Sequence, residues 1–430
     1  MAQSIDPQAP PMASGGGATS AAVGAPAAPR TWLILGDKAG DNAQVRIIAD
    51  ALSWRYDVKE LVFQAPYVVG KPRFRASLYH LDQARSAPLE PPWPDLILTV
   101  GRRPSMAALW VKEQTRGRAT LVVVGRPKRR LDRFDLVIAP PQFQLPRRGN
   151  VLRLDLPLMR VDEAAIAAAR EAWRGRLADL ARPLTALLVG GPTKPYRFDQ
   201  AVAGQLIERA RRAAEAERGS LYVSTSRRTP AAVAEALAAA LPAGARLYRW
   251  HGGGDNPYHA LLGLADRFIV TGDSISMMVE VARLGKPLAI FALPEQGRAL
   301  RWRAALGRRL AALENGAAGL IAGPLSDALH RLRIAKYGRD LAEIHRRLYA
   351  RGLAVPLGQP FRPPQGPASD DLARAVERVR ALMAGARAGS CGTARAERTR
   401  CTVATAPDGR PDAASRGPAR PARARLTPSE

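Results

Sequence analysis

A chain of 430 residues is too long for one ordinary core and suits two domains of roughly 150 residues each. Its 47% apolar content is that of a globular protein, and the two cysteines, Cys391 and Cys401, offer neither a disulfide framework nor a Cys-based metal site. The formal net charge of +27, with arginine outnumbering lysine roughly seven to one, favours an anionic ligand or an acidic lipid surface; the basic runs lack the aromatics and motifs of a nucleic-acid binder.

Residues 1–29 form a Gly/Ala/Pro/Ser leader that cannot bury a core and carries no secretory signal. No apolar run approaches the roughly 18 residues needed to span a bilayer. A cytoplasmic protein is therefore expected, with room for peripheral association at an anionic inner-membrane surface. The segment GRPKRRLDRF (125–134) is the basic stretch suited to such a surface. From residue 30, short apolar runs ending in Gly or Pro follow one another: TWLILG (31–36), DLILTVG (95–101), ATLVVVG (119–125) and FDLVIAP (134–140). Helical patterns at 41–56 and 105–113 fall between some of them. Buried runs interrupted by helices predict a parallel sheet covered on both faces. One long helix is expected over 161–180, and Pro183 restricts Arg182 and marks a boundary.

The series then restarts with LTALLVGG (184–191), SLYVSTS (220–226), ARLYRW (245–250), DRFIVTG (266–272) and PLAIFAL (287–293). Two such sets predict an α/β chain of two Rossmann-like domains facing a cleft, with ligands bound beyond the carboxyl ends of the strands. The expected division is a disordered leader (1–29), an N-terminal domain on the acceptor side (30–182), a C-terminal domain on the nucleotide side (183–345), a Pro-rich strap with a returning helix that braces the first domain (346–386), and a disordered basic tail (387–430). Further helices are expected at RWRAALGRRLAAL (301–313), at LAEIHRRLYARGL (341–353), and from Asp370 to about Ala384 with Ser369 as N-cap.

The loops after the strands carry the chemistry. In VTGDSISMMVEVARLGKPLAIF (270–291), Ile275, Met278, Val279 and Ala282 share one helical face, and Met277, Val281 and Leu284 an adjacent one. Ser276 and Glu280, at i and i+4, occupy the strip that remains. Glu280 there reads as a hydroxyl-binding carboxylate, such as one that accepts from a ribose diol. Gly285 is set to end the helix in a left-handed conformation, with Pro287 beyond it. Asp273 or Ser274 serves as the N-cap, or the helix start binds an anion, which a carboxylate at 273 would oppose.

Similar turns recur in both halves. LGDKAGDNAQ holds Asp37, Lys38 and Asp41, with Asp41 as the cap of the following helix; it is neither G-x-G-x-x-G nor a P-loop. TVGRRPSM brings Arg102, Arg103 and Ser105, LVGGPTKPY brings Gly190, Gly191 and Lys194, and STSRRTP brings Ser224, Ser226, Arg227 and Arg228. Together with Thr271 they set basic and hydroxyl groups at strand ends, as a diphosphate-bearing ligand requires. In RWHGGGDNPYHALLGLAD, the loop with Asn256 and Tyr258 shapes a base pocket or caps the helix beginning near Pro257, while His251 and His259 lack partners at metal-ligand spacing. No metal is expected.

These segments in this order resemble the mitochondrial fission ELM1 family, over roughly residues 31–360. Some bacterial members carry an epimerase label, yet neither a Tyr-x-x-x-Lys pair nor a G-x-G-x-x-G loop stands where a short-chain epimerase needs it. Plant members promote mitochondrial division by recruiting a dynamin-related protein; this composition looks bacterial, so that role is not transferred. The resemblance implies a GT-B glycosyltransferase-like fold and an inverting, metal-independent transfer from a nucleotide-sugar, taken as a UDP-sugar, to an envelope or lipid acceptor, with no cofactor. It sets Asp273, Ser274 and Ser276 at the diphosphate, Glu280 at the ribose, and Asp37 or Asp41 as general base. Two departures stand out. The first turn lacks the histidine of related transferases, and Pro141, Gln142 and Phe143 stand where some relatives carry a His-Asp pair. The alternative is a non-catalytic scaffold of the same fold that binds a partner protein or an anionic membrane.

Overall fold

The computed structural model describes residues 28–69, 72–127, 131–143, 145–296 and 340–401. The helix expected at 301–313, nearly all of the leader and the end of the basic tail lie outside them. Residues 1–382 form one unit, which carries both sheets, and residues 383–430 a second.

In the first half the strands are β1 (Thr31–Leu35), β2 (Tyr56–Glu60), β3 (Leu96–Val100), β4 (Thr120–Val124), β5 (Leu136–Ala139) and β6 (Val151–Arg153). They make a six-stranded sheet in the order β2-β1-β3-β4-β5-β6, parallel throughout. Helices α1 (Ala39–Leu52), α2 (Ala65–Val69) and α3 (Arg102–Gln114) connect the first four. The second half repeats the plan with β7 (Leu184–Val189), β8 (Ser220–Thr225), β9 (Arg246–Tyr248), β10 (Arg267–Thr271), β11 (Leu288–Phe291) and β12 (Val355–Pro356). Its order is β12-β11-β10-β7-β8-β9, again all parallel. The chain reverses direction across the sheet between β1 and β3 in one half and between β7 and β10 in the other. A crevice opens at such a point, because the loops on either side depart to opposite faces.

Alternation along a strand explains the doubled core. In β7, Leu184, Ala186 and Leu188 pack on one face, while Leu187 and Val189 pack on the other. Each face is covered by helices, which is why these strands read as unbroken apolar runs. Helix α4 (Glu163–Trp173) is capped by Asp162, whose Oδ1 accepts from the Ala165 N–H at 2.9 Å. The single helix expected over 161–180 is instead α4 followed by a 3-10 turn, Gly175–Leu177, as the glycine lowers helix propensity there. Ile166, Leu177 and Leu180 join the core of the second sheet, so this segment packs with it although it precedes Pro183.

The remaining helices are α5 (Gln200–Glu215), α6 (Ala231–Ala239), α7 (Tyr258–Leu264), α8 (Ile275–Arg283), α9 (Ala342–Ala350) and α10 (Asp371–Cys401). Helix α10 runs past the expected end near Ala384, in keeping with its many Ala and Arg residues. Its first turns brace the first half. The buried Asp371 carboxylate accepts from the N–H groups of Asp155 (3.0 Å) and Leu156 (2.8 Å). Arg374, Arg378 and Arg380 donate to the carbonyls of Arg153, Gly149 and Leu52. No helix among the described residues is long and apolar enough to cross a membrane.

Candidate functional site

At the second reversal point the loops after β7, β8 and β10 are knotted together. Gly190 donates its N–H to Thr271 Oγ1 at 2.8 Å, and Gly191 donates to Asp273 Oδ2 at 2.9 Å. Arg228, from the loop after β8, reaches Thr193 Oγ1 at 2.9 Å and Asp273 Oδ2 at 3.3 Å. Thr229 donates to the Gly190 carbonyl at 2.6 Å while accepting the Ser226 N–H at 2.9 Å. No side chain fits at either glycine. A Cβ on Gly190 would lie 2.4 Å from the Asp273 carboxylate, and one on Gly191 2.0 Å from the Arg228 carbonyl oxygen. The two glycines thus serve close packing, and the amides expected to meet a diphosphate are already engaged within the protein.

Asp273 is the odd member of this knot. Its side chain is fully buried, and Oδ1 takes no hydrogen bond. Burial pushes its carboxyl up from the ordinary range, opposed by the Gly191 amide and by Arg228. Ser274, also buried, is the N-cap of α8, but its side chain accepts nothing from the helix, and Asp273 is turned to Gly191. Ser274 thus holds the expected N-cap position, its carbonyl accepting the Met278 N–H, without a side-chain bond to the helix. The other end follows expectation: Gly285 has φ +64°, with Gly285 N–H bonded to Ala282 O and Lys286 N–H to Val281 O. These are the paired bonds that close a helix through a left-handed residue.

Ser276 is exposed on α8, and Glu280, one turn on, is half-buried. Tyr258 at the start of α7 donates its hydroxyl to Glu280 Oε2. Burial raises both groups, the Tyr258 phenol well above its ordinary value and the Glu280 carboxyl above the usual range; the Tyr258 hydrogen bond and nearby His259 pull Glu280 back. Asn256 accepts the Tyr258 N–H through Oδ1 at 3.0 Å and fixes the entry to α7. Lys194 and Arg227 are exposed along the same edge, and Ser226 sits 3.2 Å from Thr229 Oγ1.

At the first reversal point the loops after β1 and β3 meet. Gly36 is required because a Cβ would stand 2.9 Å from Pro104 and 3.1 Å from Phe63. Asn42 closes the turn, donating to Gly36 O at 2.7 Å and accepting Gly36 N–H at 3.3 Å. Lys38 is the N-cap of α1 without a side-chain bond, and Asp41 lies inside the first turn, so the cap expected at Asp41 is absent. Both Asp37 oxygens accept from Arg103 Nη2 at 2.8 Å, and Arg103 also donates to Tyr67 O at 3.0 Å and lies 4.3 Å over the Phe63 ring. Arg102 donates to Pro72 O. The two arginines expected at a diphosphate are thus held by the first half's own loops. The half-buried Asp41 side chain makes no hydrogen bond or ion pair with the described residues.

Two residues at these edges had no place in the sequence reading as site members. Thr229 lies beside Arg228 and the other residues named from STSRRTP. His345 of α9 approaches Gly272 O at 2.7 Å through Nε2, and burial pushes its pKa down. A polar ring in the apolar stripe Leu341, Ile344, His345, Leu348 was the available signal. The segment entering α9 also reaches the first half, since the Asp340 N–H donates to Gln142 O at 2.9 Å. Gln142 is buried, with Oε1 unpartnered. Among the described residues no group of three or more His, Cys, Asp or Glu is placed to hold a metal.

Two parallel six-stranded sheets, each with polar loops gathered at its reversal point, define an α/β protein with a GT-B-like fold. The model of the family described as mitochondrial fission ELM1 matches residues 39–316, more than half of the sequence, and the chain belongs to that family. It is 28% identical over 219 residues to the mitochondrial fission protein ELM1 of Arabidopsis thaliana, covering 46% of this chain and 51% of that protein. The chain thus spans about half the length of that relative. An uncharacterized protein of Rickettsia prowazekii, RP120, is 24% identical over 299 residues, 61% of this chain and 83% of the other. Among solved structures, a UDP-GlcNAc 2-epimerase from Methanocaldococcus jannaschii aligns with a TM-score of 0.42 at 12% identity, covering 82% of this chain and 99% of that one.

Proposed function

We propose that the chain binds a nucleoside-diphosphate sugar, with UDP-sugars first in line, along the carboxyl edge of the second sheet and transfers the sugar to a hydroxyl held at the edge of the first. The observation that carries this reading is Glu280. It is a half-buried carboxylate one turn into the helix that leaves the reversal point, with one oxygen taken by Tyr258, suited to accept from a ribose hydroxyl. Exposed Lys194 and Arg227 and half-exposed Arg228 lie on the same edge and neutralise the departing diphosphate.

In the transfer, the acceptor oxygen forms a bond to the anomeric carbon as the bond from that carbon to the diphosphate oxygen breaks. The electron pair leaves with the nucleoside diphosphate, and the acceptor proton passes to a carboxylate, with inversion and without a metal. Asp41 suits that last role better than Asp37, whose two oxygens are held by Arg103. The acceptor is an envelope or lipid hydroxyl, reached from the cytoplasmic side of the inner membrane. Calorimetry with UDP-, GDP-, CMP- and ADP-sugars tests the reading, which falls if none binds. E280A should weaken the sugar nucleotide that binds by roughly 10- to 100-fold, the worth of hydrogen bonds to a charged group.

A second reading is favoured by one observation. Asp273 already fills the Gly191 amide, as it would in a fold that has given up its ligand and now binds a partner protein or an anionic membrane surface. Flotation with anionic vesicles, sensitive to salt and with no sugar nucleotide bound in parallel titrations, is the result this reading expects.

A further inference from the structure

Among the described residues only two large apolar side chains stand well exposed, Val68 at 49% and Trp250 at 40%. A single apolar residue in solvent needs no explanation. Trp250 differs in what holds it and where it stands. It stands two residues past the end of β9, at the carboxyl edge of the second sheet, and its backbone N–H donates to Thr225 Oγ1 at 2.8 Å. The same buried hydroxyl donates to Tyr248 O at 3.3 Å, so one threonine at the end of β8 holds the backbone on both sides of Arg249.

The loop that follows is tied at its far end as well. Asp255 pairs with Arg176 at 3.3 Å, and Asn256 accepts the Tyr258 N–H. Gly252, at φ +78°, turns the chain beside the indole, where a Cβ would come 3.6 Å from Cη2. His251 is used within the loop, its ring 5.6 Å from that of Tyr248 and its Nδ1 accepting the Gly253 N–H at 3.2 Å. An indole carried on a backbone already held loses little freedom when a flat ligand settles on it.

We infer that Trp250 is the stacking platform for a nucleobase, which sets the ligand of this site as a nucleoside diphosphate laid across the carboxyl edge from β9 toward β10. This rests on the reading of the edge as a nucleotide site. Strands β9, β8, β7 and β10 are consecutive neighbours, so at about 4.8 Å per step the edge from Trp250 to Asp273 spans roughly 14 Å. A nucleoside diphosphate reaches across such a span. Its base would lie on Trp250, and its ribose and phosphates on the edge beyond, among Arg227, Arg228, Lys194 and Glu280.

The test is calorimetry on the full chain with UDP, GDP and ADP, and with inorganic pyrophosphate as a probe that has no base. W250A should weaken the preferred nucleotide about 5- to 150-fold, the worth of one base stacked on an aromatic ring, and leave pyrophosphate unchanged. W250F should recover most of the loss. Equal nucleotide affinity in W250A and the unaltered protein overturns the platform while the nucleotide site stands. Equal losses for nucleotide and pyrophosphate mean that Trp250 only supports the loop, and also overturn it. If no nucleotide binds the unaltered protein, the site reading falls and the platform with it.

Discussion

A methyl group on Gly191 would stand 2.0 Å from a backbone carbonyl, whereas one on Gly190 would press on the carboxylate of Asp273. Backbone in the loop after β8, tied through Thr229 to Gly190 and Ser226, cannot move aside without breaking those bonds, but a side chain can be removed. G191A should therefore destabilise the fold by about 3 kcal/mol, the upper end for overpacking. G190A should be largely rescued by D273A, which clears the space; urea unfolding of the two single variants and the double variant gives the coupling. Asp273 and Glu280 also set a pH dependence. Both bind their protons more tightly folded than unfolded, so their contribution to stability is greatest in acid. It declines as pH rises from the ordinary carboxylate range through the raised values. D273N should flatten part of that decline in urea midpoints taken from about pH 4 to pH 8. The sequence exposes Asp273 as a carboxylate in a place meant for an anion. It does not reveal that Gly191 and Arg228 hold it, because both approach from loops distant along the chain.

Helix α8 was the most legible element. Its two apolar faces, the polar strip of Ser276 and Glu280 and the stop at Gly285 are all local properties of the sequence. G285A should cost about 1 kcal/mol by thermal melting, for the left-handed backbone alone, since a Cβ there meets nothing within 4 Å. G285N should lose less. Elements without that local signal were missed. Strand β2, YDVKE, is an edge with only partial burial, while β6 and β12 have three and two residues, too few for a pattern. The break in the helix expected over 161–180 was hidden because the Ala-rich pattern continues past it. The end of α10 was misjudged for the opposite reason: a composition that resembles a linker also forms helix well.

Across the whole molecule, the parallel two-sheet plan could be read from the repeated apolar runs, but the strand orders could not. Where each sheet reverses depends on which strand β3 or β10 joins, and that is decided by packing between segments far apart. The charge is a related case. Some of the arginines that pointed to an anionic partner are held within the fold: Arg103 on Asp37, Arg374 and Arg378 on backbone carbonyls, and Arg347 on Asp155 at 2.8 Å. The brace at α10 is testable at this scale. D371A removes a buried carboxylate and strands the amides of Asp155 and Leu156, and should lower stability by about 3 kcal/mol in urea unfolding. D371N, which keeps one acceptor, should lose less.

The same brace sets a timetable for the nascent chain. Asp155 and Asp371 are 216 residues apart, and at roughly 5–20 residues per second the second emerges roughly 10–40 s after the first. Through that interval the stretch just beyond β6 leaves the ribosome with two amides awaiting their acceptor, while the entire second sheet is still being made. The first half is thus synthesised early but completed only when α10 arrives.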